Sequence, residues 1–209
     1  MMSRFQNSTL IVSARSPFAR RVRLAFLENG INYHEKSVDP WMPVAELKTA
    51  NPLGRVPTLI LSSGEISVDS TLILAAFYEN FQSPLHPAPG KDRWAASFWS
   101  AQAIGLCEKV IEYFLEMSRP ESHRDRDLLE EIHAAVDRVL HRLNQQVEKG
   151  DFLTPSFGLT QADLDIGAAL AYLDLRYPKD WQSRFPGAVR FWRKLDERPS
   201  FQATRPPQA

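Results

Sequence analysis

Apolar residues near the start of the chain follow two different spacings, and each spacing predicts a different element. Residues 9–13 form a short β-branched run, which predicts a buried strand. Apolar side chains then recur at helical spacing over residues 18–26. This stretch follows Ser16-Pro17, which is typical of a helix start, and precedes Asn29-Gly30, which is typical of a helix end. The chain is therefore predicted to open with a strand and a helix.

The alternation of short runs and helical spacing continues. Residues 32–38, 56–61 and 65–68 predict three further strands, the last two joined by a tight turn as a hairpin. Residues 39–54 hold three prolines and predict a loop with room for one helical turn. A second helix is capped near Asp69. The order β-α-β-loop-β-β-α predicts a mixed sheet with helices on both faces.

Residues 82–90 contain three prolines and are predicted to be a linker between two domains, at residues 1–81 and 91–209. The second domain is helical in pattern throughout, and its first helix, 91–117, is apolar on more than one face, as in the centre of a bundle. Thr160 and Asp163 form a capping-box start to a later helix. The end of the chain, 201–209, is rich in proline and is predicted to be irregular.

Composition narrows the function classes. The 209 residues carry 25 basic and 25 acidic side chains, so the formal net charge is zero and does not favour binding to nucleic acid or to an anionic membrane. A single cysteine, Cys107, excludes an intramolecular disulfide and a Cys-x-x-Cys pair, and five scattered histidines do not predict a metal site. No apolar run approaches the length of a membrane span, and the N-terminus lacks a hydrophobic signal segment. We therefore expect a cytoplasmic protein.

Three short segments offer candidate chemistry, and they would converge at one edge of the sheet if the strands form a single sheet. Ser16 at a helix start favours a nearby anion such as a thiolate, although Ser is also an ordinary cap. Val56-Pro57 lies at a strand start. A cis bond would present the Val56 backbone to an extended ligand, whereas a trans proline would only set a strand edge. Asp69-Ser70 at a second helix start suits the ammonium and carboxylate of an amino acid, or is a plain cap.

In their order and spacing these segments resemble the glutathione S-transferase superfamily. The most specific matches are Asn-Pro-Leu-Gly-Arg-Val-Pro at residues 51–57 and the Asp69-Ser70 helix start. Ser16-Pro17-Phe18-Ala19 resembles the omega-class Cys-Pro-Phe-Ala motif with Ser in place of Cys, at the register of the zeta-class catalytic Ser. The ending Phe-x-x-Thr-x-Pro-Pro, from Phe201 to Pro207, is similar to that of the bacterial YibF-like group. The resemblance covers nearly the whole chain.

The resemblance implies a thioredoxin-like first domain that binds glutathione and an all-helical second domain. Glutathione would place its γ-glutamyl end on Asp69 and Ser70, its cysteinyl amide on Val56 beside cis Pro57, and its thiol at Ser16. Arg55 is the candidate cation for the glycyl carboxylate. Trp41 would line the same pocket, or would instead lie in the core or at the surface. The implied residues of a pocket for a hydrophobic electrophile are Phe18, Tyr113 and Phe114.

The resemblance also implies a homodimer packed through the last helix of the first domain and the helix of Trp94. Thiol–disulfide catalysis is disfavoured because Ser16 forms no disulfide and Cys107 is predicted to be a small buried apolar residue. The expected activity is stabilisation of the glutathione thiolate for attack on a small electrophile. The alternative is a non-catalytic binding or regulatory protein on the same fold. The basic cluster Arg20, Arg21 and Arg23 is predicted to be a solvated helix face.

Overall fold

The computed structural model describes residues 4–39, 42 and 44–207. These residues divide into two compact units. The first comprises the described residues up to His86 together with those from Pro199 onward, and the second spans Pro87–Arg198. The sequence pattern had assigned 91–209 to one helical domain, whereas this division groups the C-terminal residues with the first unit.

The first unit is built on a four-stranded mixed sheet. The strands are β1 (Ser8–Val12), β2 (Tyr33–Ser37), β3 (Thr58–Ile60) and β4 (Ile66–Ser67). Their order across the sheet is β2-β1-β3-β4. The β1–β2 pair is parallel and encloses a helix in sequence, while β1–β3 and β3–β4 are antiparallel. This is the mixed sheet that the order of elements predicts, and the C-terminal region is helical as expected.

The helices of the first unit are α1 (Pro17–Glu28), α2 (Ala45–Ala50), α3 (Ser70–Asn80) and, from the C-terminal end of the chain, α9 (Pro199–Ala203). Helix α1 packs on both α3 and α9. Buried aromatic rings join these elements, with Phe5 and Phe26 both packed against Phe77 of α3 at centroid distances of 5.1 and 5.3 Å. This apolar cluster anchors the sheet and holds the helix starts in place.

The second unit is entirely helical apart from loops and one isolated bridge. Its helices are α4 (Lys91–Met117), α5 (Arg126–Gln146), α6 (Gln161–Arg176), α7 (Trp181–Arg184) and α8 (Pro186–Asp196), with a 3₁₀ turn at Glu121–His123. Helix α6 lies at the centre, since every residue from Gln161 to Leu173 is buried. Cys107 of α4 is buried, as its predicted packing role requires.

The predicted capping box of α6 is confirmed. Asp163 is fully buried, and its carboxylate accepts hydrogen bonds from the Thr160 backbone N–H at 2.7 Å, the Thr160 hydroxyl at 2.7 Å and the Leu153 backbone N–H at 2.8 Å. Burial raises the pKa of Asp163 to about 6, although these donors act in the opposite direction. One side chain thus starts the central helix and ties down the preceding loop.

Several predicted boundaries differ from the structure. The strand predicted over 56–61 shortens to β3, because Pro57 has no N–H for the ladder, and the strand predicted over 65–68 shortens to β4. In contrast, the helical turn predicted within the loop at 39–54 is present as the six-residue helix α2. The predicted irregular end is wrong over its first residues, since α9 runs to Ala203. Tertiary packing on α1 accounts for this last helix, which is too short to be stable alone.

Candidate functional site

Ser16 is the N-cap residue of α1. Its backbone is extended, at φ −72° and ψ 118°, and its Oγ accepts a hydrogen bond from the backbone N–H of Ala19 at 3.2 Å. Pro17 follows at the first helical position, where a missing N–H costs nothing. The cap uses a lone pair of the hydroxyl oxygen, so the hydroxyl hydrogen remains a donor. The ordinary capping role and a thiolate-binding role are therefore compatible.

The second predicted segment is a loop held by a buried asparagine. Asn51 donates from Nδ2 to the carbonyl oxygen of Arg55 at 3.0 Å and accepts from the Leu53 backbone N–H at 3.0 Å. The Thr58 hydroxyl donates to the same Arg55 carbonyl at 2.9 Å. The Val56–Pro57 peptide bond is cis, as expected. These contacts fix the backbone of Val56 just before β3.

The third segment is the start of α3. Asp69 is the N-cap, and its Oδ1 accepts from the backbone N–H groups of Thr71 at 2.8 Å and Leu72 at 3.4 Å. Within the described residues no hydrogen bond is found on the other carboxylate oxygen, Oδ2. Asp69 is exposed and the adjacent Ser70 is buried. Asp69 therefore caps α3, and its capping contacts leave Oδ2 of the carboxylate available to a ligand.

The sheet register brings these three segments to one end of the sheet. Ile11 pairs with Thr58, so the end of β1, which leads to Ser16, lies beside the start of β3, which follows Pro57. Leu59 pairs with Ser67, so the end of β4, which leads to Asp69, lies beside the same start of β3. The predicted convergence is therefore confirmed by strand pairing.

Arg21 links two of these segments and was missed by the sequence prediction. Its side chain is buried, and Nη1 donates to the Ser70 hydroxyl oxygen at 3.2 Å and lies 3.4 Å from the Thr71 hydroxyl oxygen. The Ser70 oxygen therefore accepts from the protein and keeps its hydrogen for an acceptor, as Ser16 does. A signal was present in the sequence, because Arg21 lies three residues from Phe18 and four from Ala25, on the apolar side of α1.

The predicted solvated face at Arg20, Arg21 and Arg23 is wrong. Arg20 and Arg21 are only 4% and 6% exposed, and Arg23 is half-buried in an ion pair with Glu35 at 2.7 Å. Guanidinium groups are buried here because oxygen atoms from distant parts of the sequence accept their hydrogen bonds. The local pattern of α1 does not reveal those acceptors.

The remaining predicted site residues have mixed surroundings. Arg55 is exposed and Phe18 is half-buried in the first turn of α1. In the second unit, the Tyr113 ring lies 4.8 Å from that of Tyr177, and the Phe114 ring lies 4.3 Å below the Arg176 guanidinium. Trp41 lies outside the described residues. Their roles stay predictions.

Comparisons with known proteins identify the family. Residues 15–80 match the family described as glutathione S-transferase, N-terminal domain, and residues 126–191 match glutathione S-transferase, C-terminal domain. The chain is 29% identical to an uncharacterized GST-like protein of Escherichia coli, YibF, over 96% of this chain and 99% of that protein. The chain therefore belongs to the glutathione S-transferase family, is YibF-like, and is classed as a glutathione transferase whose reaction is not specified.

Two solved structures support the same assignment. A glutathione S-transferase of Methylobacillus flagellatus with glutathione bound is 31% identical, with a TM-score of 0.90, covering 96% of this chain and all of that chain. A glutathione S-transferase of Methylobacterium radiotolerans in complex with glutathione sulfonate is 29% identical, with a TM-score of 0.89, covering 98% and 96%. Among the described residues of the present chain, no helix has the length and apolarity needed to cross a membrane.

Proposed function

We propose that this protein binds glutathione at the end of the sheet where α1, the Pro57 loop and α3 begin, and activates its thiol for attack on a small electrophile. The convergence of Ser16, Val56 and Asp69 through the pairing of β1, β3 and β4 carries the proposal. Related structures hold glutathione, which supports the same ligand here.

Ser16 is proposed to stabilise the thiolate. The capping contact uses the hydroxyl oxygen of Ser16 as an acceptor and does not use its hydrogen. The N-terminus of α1 adds the positive end of the helix dipole. The first turn of α1 contains no acidic residue that would oppose an anion. Lowering a thiol pKa by two units requires about 2.7 kcal/mol of preference for the thiolate. One charge-assisted hydrogen bond with the dipole is of that size.

Asp69, Ser70 and Arg21 are proposed to hold the γ-glutamyl end. The free Oδ2 of Asp69 suits the ligand ammonium, and the Ser70 hydroxyl suits its carboxylate. Arg21 orients that hydroxyl and places a buried positive charge beside it. Because a charge interaction strengthens where water is excluded, Arg21 favours a carboxylate over a neutral group. The arrangement is therefore selective for an amino-acid end.

The rest of the ligand and the electrophile complete the proposal. The Val56 backbone would pair with the cysteinyl amide, and the exposed Arg55 would face the glycyl carboxylate. Phe18, Tyr113 and Phe114 are proposed to contact a hydrophobic electrophile. The attacking thiolate forms a carbon–sulfur bond, either by displacing a leaving group from carbon or by adding to a polarised double bond whose carbanion then takes a proton from water. Ser16 contributes by favouring the attacking form.

The test combines binding and turnover in three proteins: the natural chain, Ser16→Ala and Ser16→Thr. Calorimetry measures glutathione affinity, absorbance at 240 nm against pH measures the thiol pKa of bound glutathione, and a panel of electrophiles measures conjugation. We expect Ser16→Ala to bind glutathione nearly as before, with a raised thiol pKa and at least tenfold slower conjugation. Ser16→Thr keeps the hydroxyl and the cap, and we expect it to restore most activity.

Each outcome separates one class of function from another. No glutathione binding by the natural chain overturns the proposal. Binding with a lowered thiol pKa but no conjugation of any electrophile would favour a non-catalytic binding or regulatory protein. Unchanged turnover in Ser16→Ala removes Ser16 from the mechanism while leaving the glutathione site intact.

We further propose that the protein is a homodimer packed through α3 and α4. Trp94 of α4 is 79% exposed and Leu72 of α3 is 55% exposed, so a partner that covers them would remove apolar surface from water. Analytical ultracentrifugation checks the mass, and Trp94→Glu or Leu72→Glu should produce monomers. A natural chain that sediments as a monomer at micromolar concentration contradicts this proposal.

A further inference from the structure

The C-terminal segment, defined here as Pro199–Pro207, is a structural part of the first unit. Its helix α9 packs on α1, although about 170 residues separate them in the chain. At the far end of α1, the Ser200 hydroxyl donates to Glu28 Oε1 at 2.5 Å. The segment therefore lies along α1 and contacts it at more than one level.

Arg20 is the main connection between α1 and this segment. Its Nε donates to the Thr204 hydroxyl oxygen at 3.2 Å, and its Nη2 donates to the Phe201 carbonyl oxygen at 3.0 Å. The guanidinium carbon also lies 5.1 Å from the Phe201 ring centroid. The Thr204 hydroxyl in turn donates to the Ser200 carbonyl at 2.9 Å, which fixes its orientation. Because the guanidinium is planar, these contacts together restrict both the Arg20 side chain and the backbone around Phe201 and Thr204.

These contacts lie next to Ser16 in the chain. The backbone N–H of Arg20 donates to the Ser16 carbonyl at 3.0 Å, so Arg20 closes the first turn of α1. On the other side of Ser16, Arg15 Nε donates to the Pro207 carbonyl at 3.4 Å. The C-terminal segment thus holds residues both before and after Ser16. Helix ends fray most readily, so an external hold on the first turn restricts the position of its cap.

We propose that the C-terminal segment is a positioning element for the candidate thiol site, and that Arg20 is the positioning residue through which it acts. The inference rests on the proposed function, because it assumes that Ser16 donates to the glutathione thiolate. A hydrogen bond weakens steeply with distance and angle. Loss of the hold on the first turn therefore weakens the Ser16 contact without removing any group that touches glutathione.

The experiment uses the full chain with Arg20→Lys, Thr204→Val and a matched control, Ser200→Ala. Thr204→Val removes the hydroxyl acceptor of Arg20 at nearly constant volume, and Arg20→Lys retains charge but not the two-pronged contact. Ser200→Ala removes a contact of the same segment at the other end of α1. Measured quantities are the thiol pKa of bound glutathione from absorbance at 240 nm, kcat, KM for glutathione, and Tm.

We expect Thr204→Val to raise the thiol pKa by about half a unit, giving about threefold less thiolate below that pKa and a similar fall in kcat. KM for glutathione should change little, and Arg20→Lys, which loses the paired contact to Thr204 and Phe201, should raise the thiol pKa at least as much as Thr204→Val. Ser200→Ala should lower Tm to a similar extent yet leave the thiol pKa unchanged, which separates positioning from general stability.

Two results overturn the inference, and they are distinguishable. A thiol pKa in the natural chain equal to that of free glutathione overturns the proposed function and the positioning role together. A lowered pKa that Thr204→Val leaves unchanged, or that Ser200→Ala raises equally, overturns the positioning role alone.

Discussion

Arg21 Nη1 lies 3.2 Å from Ser70 Oγ and joins the first turns of α1 to the start of α3 inside the first unit. The contact connects the element that carries Ser16 with the element that carries Asp69. Since the arginine is buried, its charge acts on the start of α3 with little screening by water. The two ends of the proposed glutathione site are therefore coupled through one side chain.

Replacement of Arg21 should weaken glutathione binding. Hydrogen bonds that involve a charged group contribute about 1.5–3 kcal/mol, so Arg21→Met is expected to raise the Kd for glutathione by about tenfold or more. Isothermal calorimetry measures this change. The matched control is Arg23→Met on the same helix, which removes the ion pair with Glu35 and should leave binding unchanged. An equal loss of affinity in both variants would show that α1 is only destabilised.

Asp69→Asn tests the capping role of Asp69 separately from its proposed charge interaction with the ligand. Asn caps helices about as well as Asp, so the free energy of unfolding should change by less than about 0.5 kcal/mol. Glutathione affinity should fall about tenfold, because the ligand ammonium loses its anionic partner. Urea unfolding and calorimetry measure the two quantities. Natural affinity in Asp69→Asn would reduce Asp69 to a cap alone.

Asp163 should make stability depend on pH. Burial raises its pKa from 3.8 to about 6, so the folded chain holds this proton more tightly than the unfolded chain. The stabilisation is complete below about pH 3.8 and is lost as the pH rises through about 6, a difference of about 3 kcal/mol. Relative to Asp163→Asn, the natural chain should therefore lose stability progressively between about pH 4 and 6 and change little at higher pH. Urea unfolding measures the free energy of unfolding of both chains across that range, and the same pH dependence in both would contradict the assignment.

Ser16→Cys should introduce disulfide chemistry that the natural chain lacks. The new thiolate attacks the disulfide of oxidised glutathione, one sulfur–sulfur bond forms, and one glutathione thiolate leaves. Intact-mass spectrometry should show one glutathione adduct that reductant removes. The natural chain is the control, since its only thiol, Cys107, is buried. Adduct formation on the natural chain would show that Cys107 is accessible.

The local features of this protein followed from its sequence. Ser16, Asp69 and the Thr160–Asp163 pair start their helices as predicted, because a cap bonds to backbone groups only two or three residues away. The alternation of strand and helix also indicated which segments meet at the end of the sheet, since strand pairing follows from the order of elements.

Tertiary structure decided the features that depend on distant partners. The cluster of basic residues predicted a solvated face at Arg20 and Arg21, yet both are buried because Phe201, Thr204 and Ser70 supply oxygen acceptors from 49 to 184 residues away. The same contacts give the proline-rich end of the chain a helix and a place on α1. A guanidinium is buried only where acceptors replace its water, and the folded chain alone determines where those acceptors lie.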